Sequence, residues 1–571
     1  MNTSDLTPFA SRRRFLTHFG SAAAAILTVG DAGLPSHAKT TLATTAGGAD
    51  NAGMSNGDLR ADRSYEIRRN AALQQKKIPL PSHSTNGDEG RYVNRIGNYS
   101  KALPHNALGE VDPKAYDALL RAMSTGESVD FEAVPGAGVG LIEQTNPRAP
   151  LPFGFTVKQG NPQAAFAFEL EGTDPHHLGI AAPPAFASEE QAGEMAELYW
   201  LSLTRDIPFS QYAAHPLVNA AVADLTRFSN FSHVNAATWS RGATPGDRTG
   251  PYISQFLWKD IPYGVAATGL PAHRLVQRYP TVEEGDDHLT EYAQWLKIQN
   301  GRPHTVRNKY GSTLRYIRNG RDLAEYVHWD FTYQAFLNAA LILLSFEDAA
   351  LSDSHPYKNS VKQGGFVTFG VSHVLDMVAK VANCALKAAW YQKWSLHRRV
   401  RPEGYGGSVH NHLTRATTYP IHAKLLNSPS LEKVHNRFGT YLLPVAYPEG
   451  CPTHPAYPAG HAAIAGACVT VLKALFNESY IIPFPVMASD DGLSLATYRG
   501  GLTIGGELNK LATNVAVGRD IAGVHWHSDC AAGLQLGEAV AIGILTDSKA
   551  TFHERFGGFT LTKFDGAKIT I

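Results

Sequence analysis

Between residues 371 and 397 the chain meets no proline or glycine, and Val374, Val378, Val381, Ala385 and Ala388 recur at alternating steps of four and three. That spacing lays the five side chains along one stripe of a helix. The same 3.6-residue period fits helices over 187–205, where Met195, Tyr199 and Leu203 stand four apart, and over 216–229, 282–298, 330–346, 461–476 and 530–546. Convincing alternating strand patterns are few and no internal repeat stands out. The fold class these patterns predict is mainly α.

Charge excludes some partners. Lys plus Arg and Asp plus Glu both number 51, so no global field draws the chain to nucleic acid or to an anionic membrane. Any affinity for anions has to come from a local cluster. The four cysteines, Cys384, Cys451, Cys468 and Cys530, contain no C-x-x-C pair, which argues against a zinc knuckle or a thioredoxin-like site. They read as small buried residues or as one or two bridges. Beyond the N-terminus the longest apolar candidate, 335–346, is too short to span a bilayer and contains Asn338, so no membrane span is expected in the mature protein.

The N-terminus has an organisation of its own. Arg12-Arg13-Arg14-Phe15-Leu16 precedes a weakly apolar run, and Ser36-His37-Ala38 puts small residues where a signal peptidase reads. Residues 1–38 therefore look like a twin-arginine export signal, with the mature protein working in the periplasm or outside the cell. Residues 39–57, mostly Thr, Ala, Gly and Asn, are expected to be a disordered linker. Residues 58–310 read as an N-terminal arm with small helices, such as one at 113–123, leading into a helical region. Residues 311–571 read as the catalytic helical region.

Three segments carry chemistry. Lys393 lies near the end of the long helix, and Arg401-Pro402 follows at a step of eight. Alone, this is a basic helix terminus that suits the macrodipole. Next, His454-Pro455-Ala456-Tyr457-Pro458-Ala459-Gly460-His461 runs into an apolar helix. The free N–H groups of a first turn favour an anion, and Gly460 admits a close approach. The third segment runs from Arg519 through Gly523-Val524-His525 to Asp529, which either caps the next helix or orients an imidazole. Together they offer Lys393, Arg401 and Arg519 to an oxyanion, two of them as bidentate forks. His525 adds a nitrogen for its central atom and His461 an acid or base.

In order and spacing these residues resemble the vanadium haloperoxidase and type 2 acid phosphatase superfamily of helical-bundle proteins. The step of six from Arg519 to His525 is typical of it. The step of eight from Lys393 to Arg401 resembles the algal and cyanobacterial bromoperoxidases, whereas fungal chloroperoxidases and the phosphatases typically have seven. Residues 330–340, 449–454 and 195–205 resemble the same branch.

The resemblance implies a vanadate cofactor, with His525 as the direct ligand and Lys393, Arg401, Arg519 and the Gly460 N–H on the oxygens. It implies that His461 is the acid–base residue, that Asp330 pairs with Arg519, that Trp390 lines the pocket and that His454 sits near the halide route. The reaction implied is oxidation of bromide or iodide by hydrogen peroxide to hypohalous acid, which halogenates an organic acceptor. A homo-oligomer is also implied, and neither haem nor flavin is needed. The alternative on the same pocket is an acid phosphatase with His525 as nucleophile. One position departs: where the family usually has Ser, this chain has Ala459. A lost hydrogen bond to a charged group costs about 1.5–3 kcal/mol, less where water replaces it.

Overall fold

The computed structural model describes residues 57–136, 158–263, 273–302, 304 and 306–571. The expected export signal, and the linker up to residue 56, lie outside them. Contacts group Arg63–Ile571 as one compact unit, separate from the unit that ends at Asp62.

The helices that matter for the site are α1 (Glu189–Thr204), α2 (Gly320–Trp329), α3 (Gln334–Leu344), α4 (Val371–Trp390), α5 (Pro402–Leu413), α6 (Gly460–Leu475), α7 (Ile504–Ile521) and α8 (His527–Lys549). Strands are minor. Among the described residues they form two-stranded antiparallel ribbons, one of which pairs β1 (Tyr279–Val282) with β2 (Tyr310–Arg315), with Tyr279 opposite Arg315 and Val282 opposite Tyr310. The mainly α reading holds.

Helix α6 sits at the centre, packed against α4, α7 and α8, and is buried from Ala462 to Leu475. Small residues make this possible. A Cβ added at Gly537 of α8 would run into the Ala463 carbonyl, and one at Gly466 of α6 into that of Leu534. The two helices thus touch backbone to backbone. Helix α4 buries the predicted stripe of Val374, Val378, Val381, Ala385 and Ala388. Its last turns widen into a π-helix, Tyr391–His397, which ends at Arg398 in a left-handed conformation, φ 36°. Widened turns of this kind occur often at functional sites, and this one carries Lys393. Arg398 is held there by ion pairing with Glu89.

Two predicted helices are corrected. Over 282–298 the chain is first strand and then turn, with Gly285 at φ 78°, and only Tyr292–Gln299 is helical. Pairing of Val282 with Tyr310 outweighs the apolar period. Over 330–346 the helix starts only at Gln334, because Asp330 is the extended C-terminal cap of α2 (φ −64°, ψ 144°). The arm also holds a longer helix than expected, Gly57–Lys77. All four cysteines are free and buried, which removes the bridges that had been left open. Helix α8 is long and apolar enough to cross a membrane, with a mean hydropathy of 1.2, but 67% of that stretch is buried in the protein. It is a core helix.

Candidate active site

The ends of α4, α6 and α7 and the start of α8 bring Lys393, His454, Ala459, Gly460, His461, Arg519 and His525 together, with Arg401 arriving as the N-cap of α5. Lys393 is fully buried, and its Nζ donates to the Pro455 and Ala456 carbonyls at 2.9 and 2.8 Å. Arg401 spreads its fork over three partners. Nε donates to the His454 carbonyl (2.8 Å), Nη1 to the Val524 carbonyl (2.7 Å) and to His525 Nε2 (3.0 Å), and Nη2 to His454 Nδ1 (2.9 Å). Arg519 donates through Nη1 to the Val327 carbonyl (2.8 Å) and the Tyr447 hydroxyl (3.2 Å), while its buried Nε has no partner.

Five arginines are buried among the described residues, and their partners divide them. Arg205, Arg321 and Arg399 are in ion pairs with carboxylates. Arg401 and Arg519, like Lys393, contact only neutral groups. Burying a charge without a counter-charge is costly, several kcal/mol per ion after relaxation. Burial, with the Arg401 charge beside it, holds the Lys393 ammonium well below its usual pKa. Three cations converging without an anion make a pocket that an oxyanion completes, and the orphaned Arg519 Nε is a donor still to be used.

The tautomer of His525 follows from its neighbours. Nδ1 lies 2.9 Å from Asp529 Oδ2 and donates to it, so Nε2 carries the lone pair and accepts from Arg401. Burial, followed by the charges of Arg401 and Lys393, pushes the imidazole pKa well down and keeps it neutral. Asp529 does both of the jobs left open for it, because the same Oδ2 accepts the Trp526 N–H (3.1 Å) at the start of α8. Its other oxygen takes Arg399 Nη1 at 2.7 Å, and Arg399 is itself held by Glu194 Oε2 (2.8 Å) and Gln191 Oε1 (2.7 Å) on α1. This support, and Tyr447 under Arg519, went unnoticed in the sequence. The basic run from Arg398 to Arg401 was the only available signal for Arg399.

On the rim, His461 Nε2 lies 3.1 Å from Asp330 Oδ1, with side-chain exposures of 28% and 4%. Asp330 therefore pairs with His461, which corrects the expected Asp330–Arg519 pair. The extended cap at Asp330 carries its carboxylate to α6, while Arg519 takes a carbonyl of the last turn of α2 instead. Trp390 does line the pocket. Its ring packs 4.7 Å from His454 and 5.9 Å from Lys393 Nζ, and Nε1 is tied to the Gly160 carbonyl at 2.8 Å. The first ladder bond of α6 is from Ala463 N–H to the Ala459 carbonyl, 3.0 Å, so the helix leaves the N–H groups of Gly460, His461 and Ala462 unused. A Cβ at Gly460 would meet Trp390 and Leu386 only at ordinary contact distance. Ala459 is buried and supplies no side-chain cap.

Fold and site together define a helical-bundle protein with a buried, histidine-centred oxyanion pocket. Residues 374–554 match the family model described as the VCPO second helical-bundle domain. A vanadium-dependent bromoperoxidase of Ascophyllum nodosum is 35% identical over 503 residues, covering 83% of this chain and 86% of that protein. Those of Corallina pilulifera and Corallina officinalis are each 33% identical and cover 90% of the chain and 98% of their own length. The homohexameric structure of the second vanadate-dependent bromoperoxidase of Ascophyllum nodosum superposes with a TM-score of 0.81 at 29% identity, over 93% of this chain and 94% of that one. The chain belongs to the vanadium-dependent haloperoxidase family, among relatives named bromoperoxidases, and is an enzyme of that kind.

Proposed function

We propose that the chain holds vanadate in the Lys393, Arg401, Arg519 and His525 pocket and oxidises bromide or iodide with hydrogen peroxide to hypohalous acid. The observation that carries this is the convergence of three buried cations, none paired with a carboxylate, around a neutral histidine whose Nε2 carries its lone pair toward them and meets only the Arg401 fork. Vanadate bound there supplies a Lewis-acidic centre that activates hydrogen peroxide toward halide.

The chain's own residues do the rest. Asp529 fixes the His525 ring so that Nε2 faces the pocket. Lys393, Arg401, the unused Nε of Arg519 and the Gly460 N–H hold negative oxygens. With Nε2 of His461 held by Asp330, Nδ1 is the ring nitrogen left to take a proton from hydrogen peroxide and give it back. Trp390 and His454 wall the pocket against bulk water, and burial with the Arg401 charge keeps His454 neutral, its pKa well below the ordinary value.

The homohexamer reported for the Ascophyllum nodosum structure supports reading this chain as a homo-oligomer. The double arginine in residues 1–38 supports export before the enzyme works. Phosphate-ester hydrolysis on the same pocket is not retained, since the relatives that cover most of the chain are bromoperoxidases.

Vanadate added to metal-free protein is expected to yield peroxide-dependent bromination of a phenol, and His525→Ala is expected to lose it. Bromination that needs no vanadate, or that survives His525→Ala, would sink the assignment.

A further inference from the structure

Beside Asp330 a cavity of about 430 Å³ opens between α2 and the β1–β2 ribbon. Its wall on the α2 side is a single helical stripe, Asp322, Glu325, Tyr326, Trp329 and Asp330, spaced three, four, seven and eight residues from the first. Tyr279 and Tyr310 of the ribbon close the other side. The lining is thus rich in aromatic faces, and Trp329 is 44% exposed at the mouth. Its inner end is Asp330, whose carboxylate holds His461 at 3.1 Å, so the cavity stands one side chain from the acid–base residue.

Two polar atoms of this wall are buried without a partner, the Tyr326 hydroxyl and Asp322 Oδ1. The other Asp322 oxygen is used, accepting from the Arg318 backbone N–H and Nε. Burial without full compensation pushes the Asp322 carboxyl up to about 6. Buried polar groups nearly always have partners, so the unpaired Tyr326 hydroxyl, whose titratable neighbours are Tyr279 and Asp330, leaves a hydrogen bond for a ligand in the cavity to supply. Glu325 is not available, being held by Tyr310, Trp329 and Asn308.

Resting on the haloperoxidase reading above, we infer that this cavity binds the organic acceptor, and that the acceptor is a neutral phenol. Its ring packs between Trp329 and the tyrosines, and its hydroxyl pairs with that of Tyr326. The step is balanced. Hypohalous acid passes its halogen to the ring carbon beside the hydroxyl; the C–X bond forms as the O–X bond breaks. The displaced ring proton leaves with hydroxide as water. The ring is oxidised by two electrons and the halogen is reduced. Three carboxylates against the one lining arginine, Arg315, disfavour an anionic acceptor.

The test separates binding from turnover. Without halide or peroxide, p-cresol added to the full-length protein should quench tryptophan fluorescence saturably, and 4-hydroxybenzoate should not. Tyr326→Phe removes a hydroxyl that the fold does not use, so the melting midpoint should hold or rise while p-cresol binding weakens about three- to tenfold, the worth of one hydrogen bond. In bromination of a p-cresol and 4-hydroxybenzoate mixture, the vanadate-loaded enzyme should favour p-cresol more than free hypobromite does, and Tyr326→Phe should move the ratio toward that of free hypobromite. No saturable binding, or a product ratio equal to that of free hypobromite, overturns the inference. Should the loaded enzyme oxidise no halide, the assigned activity falls and the p-cresol titration alone decides the cavity.

Discussion

Ala459 is the residue on which the strength of the oxyanion grip turns. It is buried as the N-cap of α6, between the pocket and the Asp529 carbonyl that accepts its N–H at 2.9 Å. Where the family resemblance implies a serine hydroxyl, it offers only a methyl group. Ala459→Ser is therefore expected to tighten vanadate binding about tenfold, the lower end of what a hydrogen bond to a charged group contributes. A serine N-cap also stabilises a helix, by about 1 kcal/mol, so the melting midpoint without vanadate has to be followed beside the vanadate dissociation constant. A midpoint that rises while the dissociation constant stays put would mean that the hydroxyl caps α6 and never reaches the anion.

At the scale of elements, the pocket depends on how closely α6 and α8 approach, since α6 starts at Gly460 and α8 begins two residues after His525. Gly537→Ala would force its new methyl against the Ala463 carbonyl. Overpacking of this sort costs about 1–3 kcal/mol. The expected result is a lower denaturation midpoint together with weaker vanadate binding, because the helix carrying Gly460 and His461 has to shift. Unchanged values for both would mean the contact relaxes for free.

The same crossing shows what could be read from sequence. Helix α4 announced itself because its apolar stripe has the helical period and nothing interrupts it. Helix α7 did not, being buried on nearly every side, with Asn509, Lys510, Thr513 and Asn514 among its buried residues and Gly505 and Gly518 in its body. A helix without a polar face has no period to detect. The pocket was legible because its donors sit in three short segments. The residues that aim them were not: Glu194 and Tyr447 lie outside those segments, Arg399 sits beside Arg401 yet serves Asp529, and only packing says whom each one holds. The Asp330 partner was misassigned for the same reason, since residue type says that a carboxylate needs a cation and only the cap geometry at the end of α2 chooses which.

For the whole molecule the pH dependence of stability follows from buried groups on either side of neutrality. His328 is buried between Glu449 (2.6 Å) and Glu325 (3.4 Å), and although burial opposes its charge, the carboxylates raise its pKa from 6.5 to about 9. A raised histidine stabilises the fold fully below pH 6.5, and that contribution disappears as pH climbs through 9. The full swing is on the order of 3 kcal/mol. Burial raises Asp247 and Asp322 to about 6 from 3.8, so their ionisation also erodes stability, between those values. Glu449 works in the other direction: with its pKa lowered to about 2, its contribution is present above 4.5 and lost as acid is added. Below neutrality the histidines that burial holds neutral, His105, His397, His454 and His525, oppose the two aspartates, because protonating them costs stability as pH falls below 6.5. Above pH 6.5 His328 and His527, whose pKa is raised to about 10, act in one direction, so stability should decline toward pH 9. Denaturant melts at pH 6, 7.5 and 9 check this, and His328→Gln should flatten the alkaline decline even where it lowers stability overall. Equal slopes for the two proteins would remove His328 from the account. The consequence reaches the pocket, because the His328 ring stacks on Tyr447 at 3.8 Å and the Tyr447 hydroxyl accepts from Arg519. Loss of the His328 charge should then loosen Arg519 as well, and vanadate affinity is expected to fall over the same pH interval.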